Sequence, residues 1–339
     1  MGNRSTDTKS CDFVKTVLMI AVVLYHSCLF WTGDWFVEEP VHPSRVLGLT
    51  AEYLNSFHIY GFTLVSGYLL CYLKREKGRY DRYWPFVTNK AVPYVFVAAV
   101  WVIPVSVWFS GYGLGEVLTR YILGTAPAQL WFLLMLFLVF VAAWPLSGAF
   151  DRNGLLGALI ALGAYGVGIL GGMVLPNYFS VWTACRYLIF FWMGYELRRK
   201  GTDALDKIPA VLWIGAHVLL FVGARYVSGL EGTVYTAIYL LLELCLHGVG
   251  AMMAFFVLRK LAARIPWQGS RLFRLLSRNS MVIYLLHQQM IYIILALLNG
   301  VVGPYVNAAA NFLVALALPV LLGTLLRRYR ITRFLIGEK

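Results

Sequence analysis

Apolar residues in this chain come in long runs, broken by short stretches of charge, proline or glycine. The runs fall at 13–32, 49–73, 91–110, 129–149, 154–174, 179–198, 208–228, 233–258, 279–299 and 305–326. A helix rises ~1.5 Å per residue, so about 20 apolar residues cross a hydrocarbon core of ~30 Å. The pattern predicts an all-α, polytopic integral membrane protein with about ten transmembrane helices. The breaks, among them KREKGRYDRYWP, DRNG, LRRKGTDALDKIP and NGVVGP, have the charge and turn residues of loops. None exceeds about 20 residues and no internal repeat is visible, so residues 1–339 read as a single transmembrane domain.

Lysine and arginine set the orientation. Alternate breaks are basic: the N-terminus, 74–90, 198–207, 259–278 and the C-terminus. The breaks on the other side hold only Arg45, Arg120 and, at the margin of one, Arg225, while Arg152 in DRNG falls on the basic side. The positive-inside rule then predicts that both termini are cytoplasmic, which requires an even number of spans. The net charge of +13 has the same cause and gives no reason to expect nucleic acid. Charged residues make up 13% of the chain against ~25% in soluble proteins, and 60% of it is hydrophobic. The first run is long enough to span and no small-residue cleavage site follows it, so it reads as a membrane helix rather than a signal peptide. Cys11, Cys28, Cys71, Cys185 and Cys245 are scattered and form no disulfide framework or metal signature. No metal is expected.

Ionisable residues inside such runs are costly, about 2.5–3.5 kcal/mol for Lys, Arg or Asp at a helix centre, and are usually functional. His26 lies deep in the first span, eleven residues after Lys15. At ~100° per residue the two share a face, separated by about 16 Å along the axis. Asp12, three residues before Lys15, either positions it or caps the helix. In the second span Glu52, Asn55 and His58 form a polar stripe, expected to face the bundle or a water-filled cavity. Ser66-Gly67-Tyr68 follows near the inner end, where Gly67 lets helices approach closely. Arg186 lies about seven residues into the sixth span and requires a carboxylate, a carbonyl or an anion, with Glu243 and Glu52 as candidate partners. Glu243 and His247 are an i, i+4 pair suited to orienting a base or relaying a proton. His287 shares a face with Ser280 in SMVIYLLHQQM. His217 is isolated and reads as structural. There is no HExxH, P-loop, GxGxxG or GxSxG.

Four stretches resemble the membrane acyltransferase 3 family. They are Asp12-Phe13-Val14-Lys15 with VVLYHS, the second-span segment FHIYGFTLVSGYLL, Gln129-Leu130-Trp131-Phe132, and SMVIYLLHQQMI. They occur in the family's order, and the likeness covers the whole chain. The His58 segment is most similar to the branch with fucose-type sugar O-acetylases, and a stand-alone member without a fused extracytoplasmic domain is expected.

The resemblance implies transfer of an acyl group, most often acetyl, from acetyl-CoA or another acyl-CoA as co-substrate. The implied acceptor is a hydroxyl of a cell-surface or lipid-linked glycan, and the implied location is the cytoplasmic (inner) membrane. On this reading His26 is the general base, acting directly or through a short-lived acyl-histidine, His58 orients the acceptor or shares the proton, and Arg186 stabilises the oxyanion or holds an anionic sugar-lipid. Lys15 and Asp12 meet the CoA end, while Glu52, Asn55, Ser66, Trp131 and His287 contribute to substrate binding. The competing reading is a transporter for a glycan or small metabolite, built on the polar stripes and the Glu243–His247 pair.

Overall fold

The computed structural model of the chain describes residues 4–33, 38–101, 104, 111, 113–123 and 128–338. The described residues are almost entirely helical and contain no strand. Leaving single turns aside, the order is α1 (Arg4–Leu29), α2 (Arg45–Asn55), α3 (His58–Cys71), α4 (Tyr83–Ala91), α5 (Leu114–Ile122), α6 (Trp131–Arg152), α7 (Gly154–Val174), α8 (Val181–Lys200), α9 (Ala210–Ser228), α10 (Thr233–Arg264), α11 (Arg271–Leu298), α12 (Pro304–Leu326) and α13 (Arg330–Leu335).

Eight segments among the described residues are long and apolar enough to cross a membrane. They are Lys9–Thr32, Arg45–Glu76, Ala128–Arg152, Gly154–Val174, Ala210–Ser228, Thr233–Arg264, Arg271–Leu298 and Pro304–Leu326. Each overlaps a predicted span. The other two predicted spans differ. At 179–198 the chain forms α8, a 20-residue helix, but Arg186, Glu196 and Arg198 dilute its apolar character. The run 91–110 begins as a π-helical turn, Val92–Phe96, and much of its remainder lies outside the described residues.

The chain packs as two compact units. The first is Met1–Val65, Gly201–Ser280 and Ile291–Leu316; the second is Ser66–Lys200, Met281–Met290 and Ala317–Lys339. In the first unit α1 lies against α2 and α10, and α10 against α9. Val14, Leu18 and Val23 on α1 and Ala251 and Phe255 on α10 are fully buried, as their helical spacing requires. At the N-terminal end of α1, Phe13 stacks on Phe273 with ring centroids 5.3 Å apart and planes 11° apart.

The second predicted span is not one helix. It breaks at Ser56–Phe57, between α2 and α3. The Ser56 N–H is shared between the Glu52 and Tyr53 carbonyls at 3.2 Å each, and Phe57 N–H bonds Leu54 O at 3.3 Å. Regular bonding resumes with Gly61 N–H on Phe57 O at 2.8 Å. Helix α10 crosses close to this break. A Cβ on Gly250 would sit 2.9 Å from both Ser56 O and the Phe57 Cβ, so only glycine fits there.

In the second unit α8 packs on α7 and α6, and α4 on α6. Gly67 of α3 meets the backbone of α8: a Cβ there would collide with the Phe191 carbonyl oxygen and lie 3.1 Å from Tyr195 N. The next residue, Tyr68, accepts a hydrogen bond from Arg198 Nη1 at 2.9 Å. Arg198 in turn makes a bidentate pair with Glu76, at 2.6 and 2.7 Å. Ser66-Gly67-Tyr68 is therefore a helix-packing element here, with Ser66 half-buried beside it.

Candidate functional site

His26 is the fourth-last residue of α1 and is 8% exposed. Its Nδ1 lies 2.9 Å from the Val22 carbonyl oxygen one turn earlier. A carbonyl only accepts, so Nδ1 carries the hydrogen. The neutral ring then has its lone pair on Nε2, which is the nitrogen able to take a proton. His58 opens α3 and is fully buried. Its Nδ1 lies 2.6 Å from Leu54 O, which fixes the same tautomer.

Tyr25 brings the two rings together. Its centroid is 4.6 Å from that of His26, edge to face, and 4.9 Å from that of His58. Two histidines whose Nδ1 atoms are each bonded to a backbone carbonyl thus share one aromatic neighbour. The sequence does not single out Tyr25. With aromatics at 16% of the chain, a tyrosine in a span carries little signal beyond its place beside His26.

His217 is satisfied on both sides. The Ser56 hydroxyl donates to Tyr53 O at 2.6 Å, so Ser56 Oγ accepts from His217 Nε2 at 3.1 Å. His217 Nδ1 therefore accepts from the Tyr53 hydroxyl, also at 3.1 Å. This ring has both nitrogens engaged and ties α9 to the break after α2, which fits its structural reading. His247 behaves differently: it stacks on Tyr60 with centroids 3.8 Å apart and planes 15° apart.

The polar stripe expected on the second span is corrected by the break at Ser56. His58 is buried, Asn55 is exposed, and Glu52 is half-buried. Glu52 forms an ion pair with Arg225 of α9. Arg186 is also corrected. It is exposed on α8, where its Cγ lies against α7 at Gly168, and no hydrogen bond or ion pair to it occurs among the described residues. Glu52, one of the partners expected for it, is paired with Arg225 instead.

At the N-terminal end of α1, Asp12 and Lys15 form the expected i, i+3 pair, with Nζ 2.9 Å from Oδ1. Because α1 begins at Arg4, Asp12 lies inside the helix and is not its cap. Lys15 remains 41% exposed.

The remaining predicted residues lie in the second unit. His287 is fully buried, with Nδ1 2.8 Å from Tyr284 O and 3.0 Å from Ile283 O. Gln129 ties the turn before α6 to α11. Its N–H donates to Gln288 Oε1 at 3.2 Å, and its Nε2 donates to Leu285 O at 2.9 Å. Trp131 follows, half-buried, with its ring 6.0 Å from Tyr187. Among the described residues, no group of three or more His, Cys, Asp or Glu is placed to hold a metal ion.

The geometry can do acid–base chemistry at the C-terminal end of α1. The family model for acyltransferase 3, described as an acyltransferase domain, matches residues 8–328. Neither a curated protein nor a solved structure matches the chain.

Proposed function

Since the chain belongs to the acyltransferase 3 family and is a multi-pass membrane acyltransferase, we propose that it transfers an acetyl group from acetyl-CoA to a hydroxyl of a cell-surface or lipid-linked glycan, with His26 as general base. The observation that carries the assignment is the bond from His26 Nδ1 to the Val22 carbonyl. It leaves the proton-accepting nitrogen, Nε2, on a buried ring held in one orientation.

In the reaction, Nε2 takes the proton of the acceptor hydroxyl while its oxygen attacks the thioester carbon. The C–S bond breaks, and the imidazolium returns the proton to the CoA thiolate. The products are the acetyl ester and CoA-SH. His58, across the Tyr25 ring from His26, holds the acceptor hydroxyl or shares its proton. Lys15, with Asp12 steering it, meets the anionic end of CoA. The basic breaks support cytoplasmic termini and a cytoplasmic-membrane location. Arg186, exposed and without an ion pair among the described residues, is given no part in the reacting centre.

The experiment is acetyl-CoA binding and slow hydrolysis by purified protein, wild type beside His26→Ala. Binding in both, with turnover lost in the variant, is the expected result. Full turnover in His26→Ala would remove His26 from the chemistry. Absence of binding in both would favour transport, and attention would shift to Glu243 and to His247 on Tyr60.

A further inference from the structure

Helix α12 reads PYVNAAANFLVALALPVLLGTLL, and its two sides differ in chemistry. Asn307, Ala308, Asn311 and Ala315 are buried, whereas Tyr305, Val306 and Leu313 are exposed. The buried four fall at i, i+1, i+4 and i+8, which is one stripe of a helix. The outward side is aliphatic and aromatic, as lipid requires. The inward side presents two carboxamides.

A carboxamide inside a membrane helix is costly unless its hydrogen bonds are made. Asn311 lies against α1. Its Nδ2 is 3.5 Å from the carbonyl oxygen of Ser27, the residue after His26. The Ser27 hydroxyl is directed elsewhere, to Val23 O at 2.8 Å. The Oδ1 atoms of both Asn307 and Asn311 are buried and accept no hydrogen bond among the described residues. The two residues are 3% and 0% exposed. Side chains at i and i+4 stand about 6 Å apart on one face. Two buried acceptors in that arrangement call for two hydrogen donors, and Asn311 lies against the helix that holds His26.

We propose that Asn307 and Asn311 form a subsite for the sugar acceptor beside the end of α1, where two hydroxyls of one sugar donate to the two amide oxygens. The inference rests on the acyl-transfer reading above. A sugar is suited because hydroxyls on neighbouring carbons offer several O–H donors within a few ångströms. A site built to bond a substrate hydroxyl also rejects an analogue lacking it, because the buried acceptor is then left unpaired. The pair therefore selects which hydroxylated ring is presented to His26.

The test uses purified full-length protein, labelled acetyl-CoA and, as acceptor probe, envelope glycan from the parent cells stripped of esters by mild base. Asn307→Leu and Asn311→Leu are compared with Asn307→Ser and Asn311→Ser, which keep a small polar side chain. Acetyl-CoA hydrolysis without acceptor should stay within twofold of wild type. The KM for glycan should rise at least tenfold in each variant. The melting temperature in detergent should hold or rise in the leucine variants, because a buried acceptor without a donor is removed.

An unchanged glycan KM in all four variants would overturn the subsite. So would a raised KM for acetyl-CoA alone, which would turn the amides toward the donor. A lower melting temperature with parallel loss of hydrolysis and transfer would make them packing groups and also end the proposal. Wild-type protein that neither binds nor turns over acetyl-CoA would instead refute the proposed function, and this inference with it.

Discussion

At the scale of the residue, the candidate site is an arrangement of tautomers. A histidine bonded through Nδ1 to the carbonyl one turn earlier is fixed in orientation and in which nitrogen is basic. His26, His58 and His287 all use this device. His217 does not, because both its nitrogens are spent on Tyr53 and Ser56. Tyr25 is the shared neighbour of His26 and His58, and it acts there as a ring. Tyr25→Phe should therefore keep turnover within about threefold. Tyr25→Leu should lower kcat by tenfold or more with little change in the KM for acetyl-CoA, since both imidazoles lose their packing partner. Equal activity in the two variants would remove Tyr25 from the site. Arg186 supplies the opposite case. An oxyanion contact is worth about 10²–10³ in kcat when removed. Its exposed position predicts that Arg186→Gln retains turnover within about threefold, measured in the same hydrolysis assay. The histidines were legible in the sequence because an ionisable group inside an apolar run is conspicuous. Tyr25 was not, since a tyrosine there is ordinary. Asn307 and Asn311 were legible in principle: two amides at i, i+4 in an apolar run obey the rule that marked Glu52, Asn55 and His58.

At the scale of the element, close helix approach depends on glycines, and two of them bear on the second predicted span. Gly67 admits the α8 backbone, and Gly250 admits the break after α2. A methyl group at either meets backbone atoms, which give way less readily than side chains. Gly67→Ala and Gly250→Ala should each destabilise the protein by about 1–3 kcal/mol, the usual range for overpacking. Thermal unfolding in detergent measures this, and an unchanged melting temperature would show that the helices can shift apart. The two variants should differ in activity. Gly250 lies beside Ser56 and Phe57, directly before His58, so Gly250→Ala should also lower turnover at temperatures where it is folded. The break at Ser56–Phe57 escaped a reading of hydropathy because EYLNSFHIYGF has no proline or glycine at the break itself. The helix is interrupted by its neighbours: His217 holds Ser56 from α9, and α10 passes at Gly250. Tertiary contact of that kind leaves no periodic trace. The half-buried ion pair of Glu52 with Arg225, which the sequence does not point to, belongs to the same corner.

At the scale of the whole molecule, the charge pattern and the helices have to agree on how often the chain crosses the membrane. Eight segments meet the length and hydropathy of a span. Helix α8 is the informative exception. It has 20 residues, enough for ~30 Å, and three charged residues, Arg186, Glu196 and Arg198, within its first 18. Its cations are unevenly placed: Arg198, Arg199 and Lys200 crowd its C-terminal turn, next to the basic break 198–207. The break before it, GGMVLP and the residues after, holds none. The positive-inside rule then predicts that those ends lie on opposite sides and that α8 crosses. Met173 is 78% exposed and Asp203 is exposed, so both are suitable label sites. In a background with the five native cysteines replaced, an impermeant thiol reagent added to intact cells should label Met173→Cys and leave Asp203→Cys untouched until the cells are opened. Labelling of both from outside, or of neither, would show that α8 does not cross. The parity of the chain would then change, and the cytoplasmic placement of one terminus would fall with it. The opposite-sided result would put Arg186 in the outer half of α8 on its exposed side, where a long cationic side chain reaches toward the headgroups rather than into a reacting centre.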